Sequence, residues 1–365
     1  MTDRPKRRRA GPAVPRGTAQ ADFEIAGSRL APGDRATLAL QLPGQSAFTP
    51  LAMPLHVVHG AKPGPVLFVS AAIHGDEING VEIIRRLRHL PALSRLAGTL
   101  ICIPVVNMYG FLNHTRYLPD RRDLNRSFPG SARGSLAARI AHIFAREIVG
   151  RASHGIDLHT GGNHRTNLPH IRVSLDDPEA ARLARSFGTS VIVNANLRDG
   201  SLRQYALDRG LTMLLYEAGE ALRFDPRSIA TGVRGIVNVM TALGMLPARQ
   251  ARAVSPVAPE VALSSHWIRA PQSGLLRTGL ALGQRVAQGE TLGHLADVAG
   301  ENDQVLAAPG DGIVIGRCNL PAVHEGDALF HIASFAKVPS GPAATDGTTH
   351  IEGLQTGDYP GQPGR

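Results

Sequence analysis

Between about residues 64 and 245, short apolar runs alternate with longer amphipathic stretches. This predicts strand followed by helix, repeated. Val66 to Ile73 is an apolar run bounded by Pro63-Gly64-Pro65. It leads into a helix carrying Val81, Ile84, Leu87 and Leu90 on one face. Thr99 to Val106 reads as a second buried strand. The polar loop Asn107 to Gly130 that follows is long enough to point to function. Ser135 to Val149 is an amphipathic helix with Leu136, Ile140, Ile143 and Phe144 inward. Gly155 to His159, Ser190 to Asn194 and Leu211 to Glu217 are strand-like. Asp177-Pro178 and Asp225-Pro226 each set a cap before a proline at the first helical position, and so open helices. The second of these runs to about Leu243. The fold class is therefore α/β, a mainly parallel mixed sheet flanked by helices. Ligands of such sheets sit at the carboxyl ends of strands, where His74, His159 and Glu217 all fall.

After about Pro256 the pattern changes to short β-like runs separated by glycine, with an internal repeat. Ala270-Pro271-Gln272-Ser273-Gly274 matches Ala308-Pro309-Gly310-Asp311-Gly312. Val286, Gly289, Leu292 and Leu295 match Val323, Gly326, Leu329 and Ile332 at identical spacing. Two quasi-equivalent halves predict a small all-β barrel or sandwich made by duplication. The pattern resembles the barrel-sandwich fold of biotinyl and lipoyl carrier domains. Those domains are modified on a lysine, and residues 253–335 contain none. The organisation read here is a basic disordered tail (1–20), a catalytic domain (21–252), an unmodified β barrel-sandwich domain (253–335) and a second disordered tail (336–365).

Of 365 residues, 43% are hydrophobic, enough for a sizeable core in a soluble protein. The net charge is +9. Arg4, Lys6, Arg7, Arg8, Arg9 and Arg16 place much of it at the N-terminus, against Asp3 alone. No aromatic residues interleave with these charges, which argues against a specific nucleic-acid reader. Pro12, Pro15, Arg16 and Gly17 break up what would be the apolar part of an export signal. No apolar run approaches the about 18 residues of a spanning helix, so no membrane role is expected. Cys102 and Cys318 form no disulfide framework, and a cytoplasmic location fits. A homo-oligomer is compatible with the sequence.

His74 and Glu77 stand three residues apart on a turn entering a helix, so both can reach one metal. With 15 histidines in the chain the spacing alone is weak. Its place after a buried strand, with Gly75 to allow a tight turn and Asp76 to cap the helix, strengthens it. His159, from another strand, completes a His2Glu set that leaves a position open for water. Asp157 shares its strand face and is either an orienting partner for that imidazole or an ordinary solvent-facing carboxylate. Glu217 ends an apolar run, where burial raises a carboxylate pKa towards that of a general base. The alternative for Glu217 is a strand-end residue capping the turn at Gly219, and Glu220 competes for the role. The loop offers Arg116, Arg121, Arg122 and Arg126 for carboxylate recognition and oxyanion stabilisation.

Five segments in order resemble the succinylglutamate desuccinylase/aspartoacylase family of the zinc carboxypeptidase superfamily. They are His74-Gly75-Asp76-Glu77, Thr115-Arg116-Tyr117, Asp123-Leu124-Asn125-Arg126, Asp157-Leu158-His159-Thr160 and Glu217-Ala218-Gly219. The resemblance covers about residues 50–335. It implies one Zn²⁺ on His74, Glu77 and His159, with Glu217 as the acid/base towards zinc-activated water. It further implies that Arg116 polarises the scissile carbonyl and that Asn125 and Arg126 hold the α-carboxylate. The expected activity is hydrolysis of a small anionic N-acyl amino acid or related amide. Two features depart from aspartoacylase. The stretch from Tyr117 to Leu124 is longer, and the barrel has no tyrosine to offer the site. His266 or Arg269, beside Trp267, are candidates for that contact, and His164, Arg165 and Arg172 for the pocket wall. A zinc carboxypeptidase acting on short peptides and a noncatalytic ligand-binding relative remain as alternatives.

Overall fold

Four parallel strands form the centre of the fold, in the order Ala97–Ile103, Lys62–Ala71, His154–Gly161 and Thr212–Glu220. The computed structural model describes residues 20–44, 50–247 and 258–335. Apart from Gln20, the two expected tails lie outside the described residues, as does the expected boundary between 252 and 253. Beyond the parallel centre the pairing is mostly antiparallel, except that Val191–Asn194 runs parallel to both Arg165–Val173 and Glu260–Ala262. Ala52–His59 and Arg35–Gln41 flank Ala97–Ile103, and Arg165–Val173 flanks Thr212–Glu220. Among the described residues no helix is long and apolar enough to cross a membrane.

Helices cover both faces of the sheet. Asn79–Leu87, Pro178–Phe187 and Pro226–Ala242 bury Ile83, Ile84, Leu183, Phe187, Ile236 and Val239 against one face. Leu136–Glu147 and Leu202–Asp208 bury Ile140, Phe144, Leu202 and Ala206 against the other. Phe144 is fully buried, edge-on to Phe68 at 5.8 Å. Its truncation to alanine would cost about 3–5 kcal/mol, a large part of a domain's net stability. Of the three starts marked by capping residues, Asp177 and Asp225 each accept a backbone N–H in the first turn, as Ser135 also does for its helix. Asp76 caps nothing: the first helix starts after Ile78 with no side-chain cap, and Asp76 Oδ1 is buried without a partner.

The first helix presents a different face from the one anticipated. Gly80, Ile83, Ile84 and Leu87 are buried, whereas Val81 and Leu90 are half-buried. The helix ends at Leu87, so Leu90 lies past it, and the inward stripe follows i, i+3, i+4, i+7 from Gly80. At Gly80 a β-carbon would lie 2.6 Å from that of Ala71 and 2.8 Å from that of Leu158. A larger residue would lift the helix off the strands that carry the site. The strand Arg165–Val173 escapes the hydrophobic pattern because its polar residues and Pro169 mask the period of two. Pro169 lies where its register with Thr212–Glu220 shifts, so no ladder hydrogen bond is forfeited there.

The C-terminal repeat is visible in three dimensions. Val286, Leu292, Leu295, Val323, Leu329 and Ile332 share one core, and Gly289 and Gly326 both take left-handed turns. Each half lends a strand to the other: Arg285–Val286 pairs with Gly312–Cys318, and Ala322–Val323 with Gly274–Arg277. Gly312–Cys318 also pairs with Arg165–Val173, so the central sheet runs on through Ala328–Ser334 to Ser264–Arg269. This junction brings the C-terminal segment to the edge of the site.

Candidate active site

His74 stands on the turn that ends Lys62–Ala71. Gly75 beside it is pressed onto Gly110, where a β-carbon would come within 2.0 Å of backbone. This contact fixes the turn and with it the aim of His74 and Glu77. His159 projects from the parallel neighbour His154–Gly161. Glu77 joins them: its Oε1 lies 2.8 Å from His74 Nδ1 and its Oε2 2.9 Å from His159 Nδ1. The three ligand atoms fall within 4.8 Å of one another, and all three residues are buried.

The outer ring nitrogens are also engaged. His159 Nε2 lies 2.7 Å from Asp157 Oδ2, whose other oxygen accepts from Ser70 Oγ at 2.7 Å. His74 Nε2 lies 3.2 Å from Asp123 Oδ1. Asp157 is therefore an orienting partner rather than a solvent-facing carboxylate. Two imidazoles that donate Nε2–H to aspartates present Nδ1 lone pairs inward. A carboxylate has no proton with which to meet a lone pair. Either extra protons or a cation must therefore sit between Glu77 and the two rings. The direction of the pKa shifts agrees. Burial alone would lower the histidines, but Glu77 with Asp123 holds His74 above its ordinary value, and Asp157 with Glu77 holds His159 well above it. Burial likewise raises Glu77, yet His74 and His159 outweigh it and hold the carboxylate well below the usual range. The donor set thus fits a borderline-soft divalent metal with nitrogen and oxygen ligands.

Asp123 organises the loop around this centre. It accepts from Arg116 Nη2 at 3.0 Å and, as a helix cap, from the backbone N–H of Asn125 at 2.8 Å. Arg116 bridges to Glu77 Oε1 at 3.1 Å. Asn125 Oδ1 accepts from the N–H of Leu202 at 2.9 Å, which turns its amide nitrogen away from that helix start. Arg126 Nη1 donates to the carbonyl of Asn125 at 2.6 Å.

Glu217 stands beside His159 in register on the next strand. The pairing shifts immediately after it, between Glu217 and Glu220. Such a bulge re-aims side chains at a sheet's active edge. Burial raises the Glu217 pKa, opposed by His159, by Arg172 and by a hydrogen bond from Asn167 Nδ2 at 2.9 Å. The competitor Glu220 lies in a separate groove, where it pairs with Arg223 at 3.4 Å.

All seven predicted site residues line one cavity of about 390 Å³. Four further cations line it, Arg165, Arg172, Arg198 and Arg203, beside Arg116 and Arg126. Arg203 is buried and Nη1 has no partner; burial, then repulsion from Arg172 and Arg198, lowers its pKa to about 9. The C-terminal segment contributes Trp267 and His331, stacked at 4.5 Å, with Arg165 over the indole at 5.5 Å. Neither His266 nor Arg269 lines the cavity; Arg269 is exposed and donates to the Gly326 carbonyl. His164 faces the groove of Glu220, and Arg121 and Arg122 point to solvent. Sequence reasoning missed Asn167, Arg198, Ser201 and Arg203, which belong to no local motif, and the role of Asp123, which lay inside one.

Residues 63–243 match the succinylglutamate desuccinylase/aspartoacylase catalytic domain. A relative from Halomonas elongata, named N-alpha-acetyl-L-2,4-diaminobutyric acid deacetylase, is 29% identical over 306 residues, covering 79% of this chain and 87% of that protein. The solved structure of a succinylglutamate desuccinylase/aspartoacylase from Rhodobacter sphaeroides superposes with a TM-score of 0.75 at 26% identity, covering 87% of this chain and 99% of that one. The product-bound ectoine utilization protein EutE (DoeB) from Ruegeria pomeroyi has a TM-score of 0.73 at 23% identity, over 83% and 97% of the two chains, and shares the fold.

Proposed function

The chain belongs to the succinylglutamate desuccinylase/aspartoacylase family, and from that premise we propose that it is a zinc-dependent deacylase of a small anionic N-acyl amino acid. The observation that carries this reading is the inward-facing His74–Glu77–His159 set with Glu217 on the adjacent strand. Three ligands leave a coordination position open, as catalytic rather than structural zinc sites do. When bound, the metal supplies Lewis acidity to water and to the amide carbonyl.

The chain's own groups supply the rest. Asn125 and Arg126 bind the substrate α-carboxylate, with the wider arginine wall favouring anions over cations. Arg116 donates to the scissile carbonyl oxygen as negative charge develops there. Glu217, held in a setting that raises its pKa, takes the proton from the attacking water and returns it to the departing amine. Trp267 and the stacked His331 close one side of the cavity and restrict the substrate's size. A cytoplasmic location fits the free Cys102 and Cys318.

The test is a Glu217→Gln variant assayed for bound zinc and for turnover. The proposal expects wild-type zinc content and loss of amine release. A variant that turns over like the wild type would remove Glu217 from the chemistry.

A further inference from the structure

Asn167 occupies a position that neither the sequence motifs nor the metal centre explains. It lies on Arg165–Val173, between two strands, and its register partners are Gly219 on one side and Gly316 on the other. The side chain is buried. Its Nδ2 donates to Glu217 Oε2 at 2.9 Å, while its Oδ1 has no partner. That oxygen lies only 3.0 Å from where a β-carbon on Gly316 would be.

This orientation has a chemical reason. Reversing the amide would set Oδ1 against the Glu217 carboxylate, acceptor facing acceptor. With Nδ2 inward, Glu217 Oε2 is committed as an acceptor, and Glu217 itself lines the cavity. A glutamate that shuttles a proton from one rotamer needs such an anchor. Glu217 follows a regular strand but precedes a bulge, so its backbone constrains it on one side only.

Resting on the reading of Glu217 as the acid/base, we propose that Asn167 is its positioning residue. It holds Oε2 so that Oε1 is the oxygen that accepts the proton from water and delivers it to the leaving amine. Gly316, from the C-terminal repeat, belongs to the same device. A β-carbon there would press at 3.0 Å on the Asn167 amide oxygen and the His331 β-carbon and at 3.3 Å on Trp267, so glycine leaves the amide its room. On this account the C-terminal segment supports the base as well as walling the cavity.

The test compares Asn167→Leu, Asn167→Asp and Gly316→Ala with wild type and Glu217→Gln, each checked for folding and zinc content. Asn167→Leu removes the donor at similar size and should lower kcat about 10- to 100-fold, the usual scale for loss of a supporting partner or a small misplacement. KM should stay within about twofold of wild type, since uniform binding is untouched. Asn167→Asp, nearly isosteric, should lower kcat at least as much, because it sets acceptor against acceptor. It carries the test if the leucine variant fails to fold. Gly316→Ala should lower kcat in the same direction by a smaller factor. The solvent deuterium isotope effect on kcat should rise in all three as proton transfer becomes limiting, which loss of stability alone does not cause. Folded, zinc-loaded Asn167 variants with wild-type kcat, beside an inactive Glu217→Gln, would overturn the inference and leave the deacylase reading intact. An active Glu217→Gln would instead bring down the reading on which the inference rests.

Discussion

The two sides of the cavity are built on opposite plans. Around His74, Glu77 and His159 the charged groups answer one another: each imidazole nitrogen meets a carboxylate within 3.2 Å, and Arg116 ties Glu77 to Asp123. Elsewhere on the cavity wall Arg126, Arg172, Arg198 and Arg203 gather cation beside cation, and Nη1 of Arg203 has no partner. Under the proposed function the first side would hold a cation and the second would receive an anion from outside. Burying a guanidinium among its like costs stability, so the far side trades folding free energy for ligand binding.

The most damaging way to break this contrast is to remove a ligand from the first side. His159→Ala should abolish tight zinc binding and turnover together, measured by metal content and amine release. It should also destabilise the fold, because Asp157 and Glu77 are left buried beside a vacant position. Next in size is Arg116→Ala, which should lower kcat about 10²- to 10³-fold, the scale of losing one oxyanion donor. Zinc content should be retained, and steady-state kinetics with metal analysis would separate the two effects.

The far side should behave differently. Arg203→Met removes a buried charge that Arg172 and Arg198 repel and whose Nη1 has no partner, losing only the Nη2 hydrogen bond to the Asn196 carbonyl, so the melting temperature of the ligand-free protein should fall little. KM should rise about tenfold or more, in line with a lost charge-assisted contact. A fall in stability with unchanged KM would mean that Arg203 is structural and that the two sides do not differ as described. The smallest effect is on pH. Burial raises Glu217, and the base works ionised, so kcat should fall as pH drops through a value above the ordinary carboxylate range. The acidic limb of a kcat profile on zinc-loaded protein reads this directly.

The same contrast explains what could be read from the sequence. The metal side is local in sequence: His74 and Glu77 are three residues apart, His159 follows Asp157 by two, and each lies at a strand end that hydrophobic patterning locates. The far side is assembled from Arg126 in one loop, Arg172 on a strand that Pro169 disguises, and Arg198 and Arg203 around a short helix start. Arg126 and Arg172 were named as candidates, but Arg198 and Arg203 look like solvated surface in the sequence, and only the fold brings the four together. Asn167 was hidden for a related reason. Its partner lies 50 residues away, and the pairing depends on a bulge that no periodicity announces. The duplicated C-terminal halves were legible because glycine and apolar positions recur at fixed spacing. Their joining to the central sheet through Arg165–Val173 was not, because it depends on an edge left open by that same strand.

The most direct test of the account is amine release by the wild-type protein from N-acetyl and N-succinyl amino acids and short peptides, before and after its metal is stripped and restored with Zn²⁺. The account predicts hydrolysis of an N-acyl amino acid that disappears on stripping and returns with zinc. Undiminished turnover by the stripped protein, or cleavage of peptides alone, would contradict it.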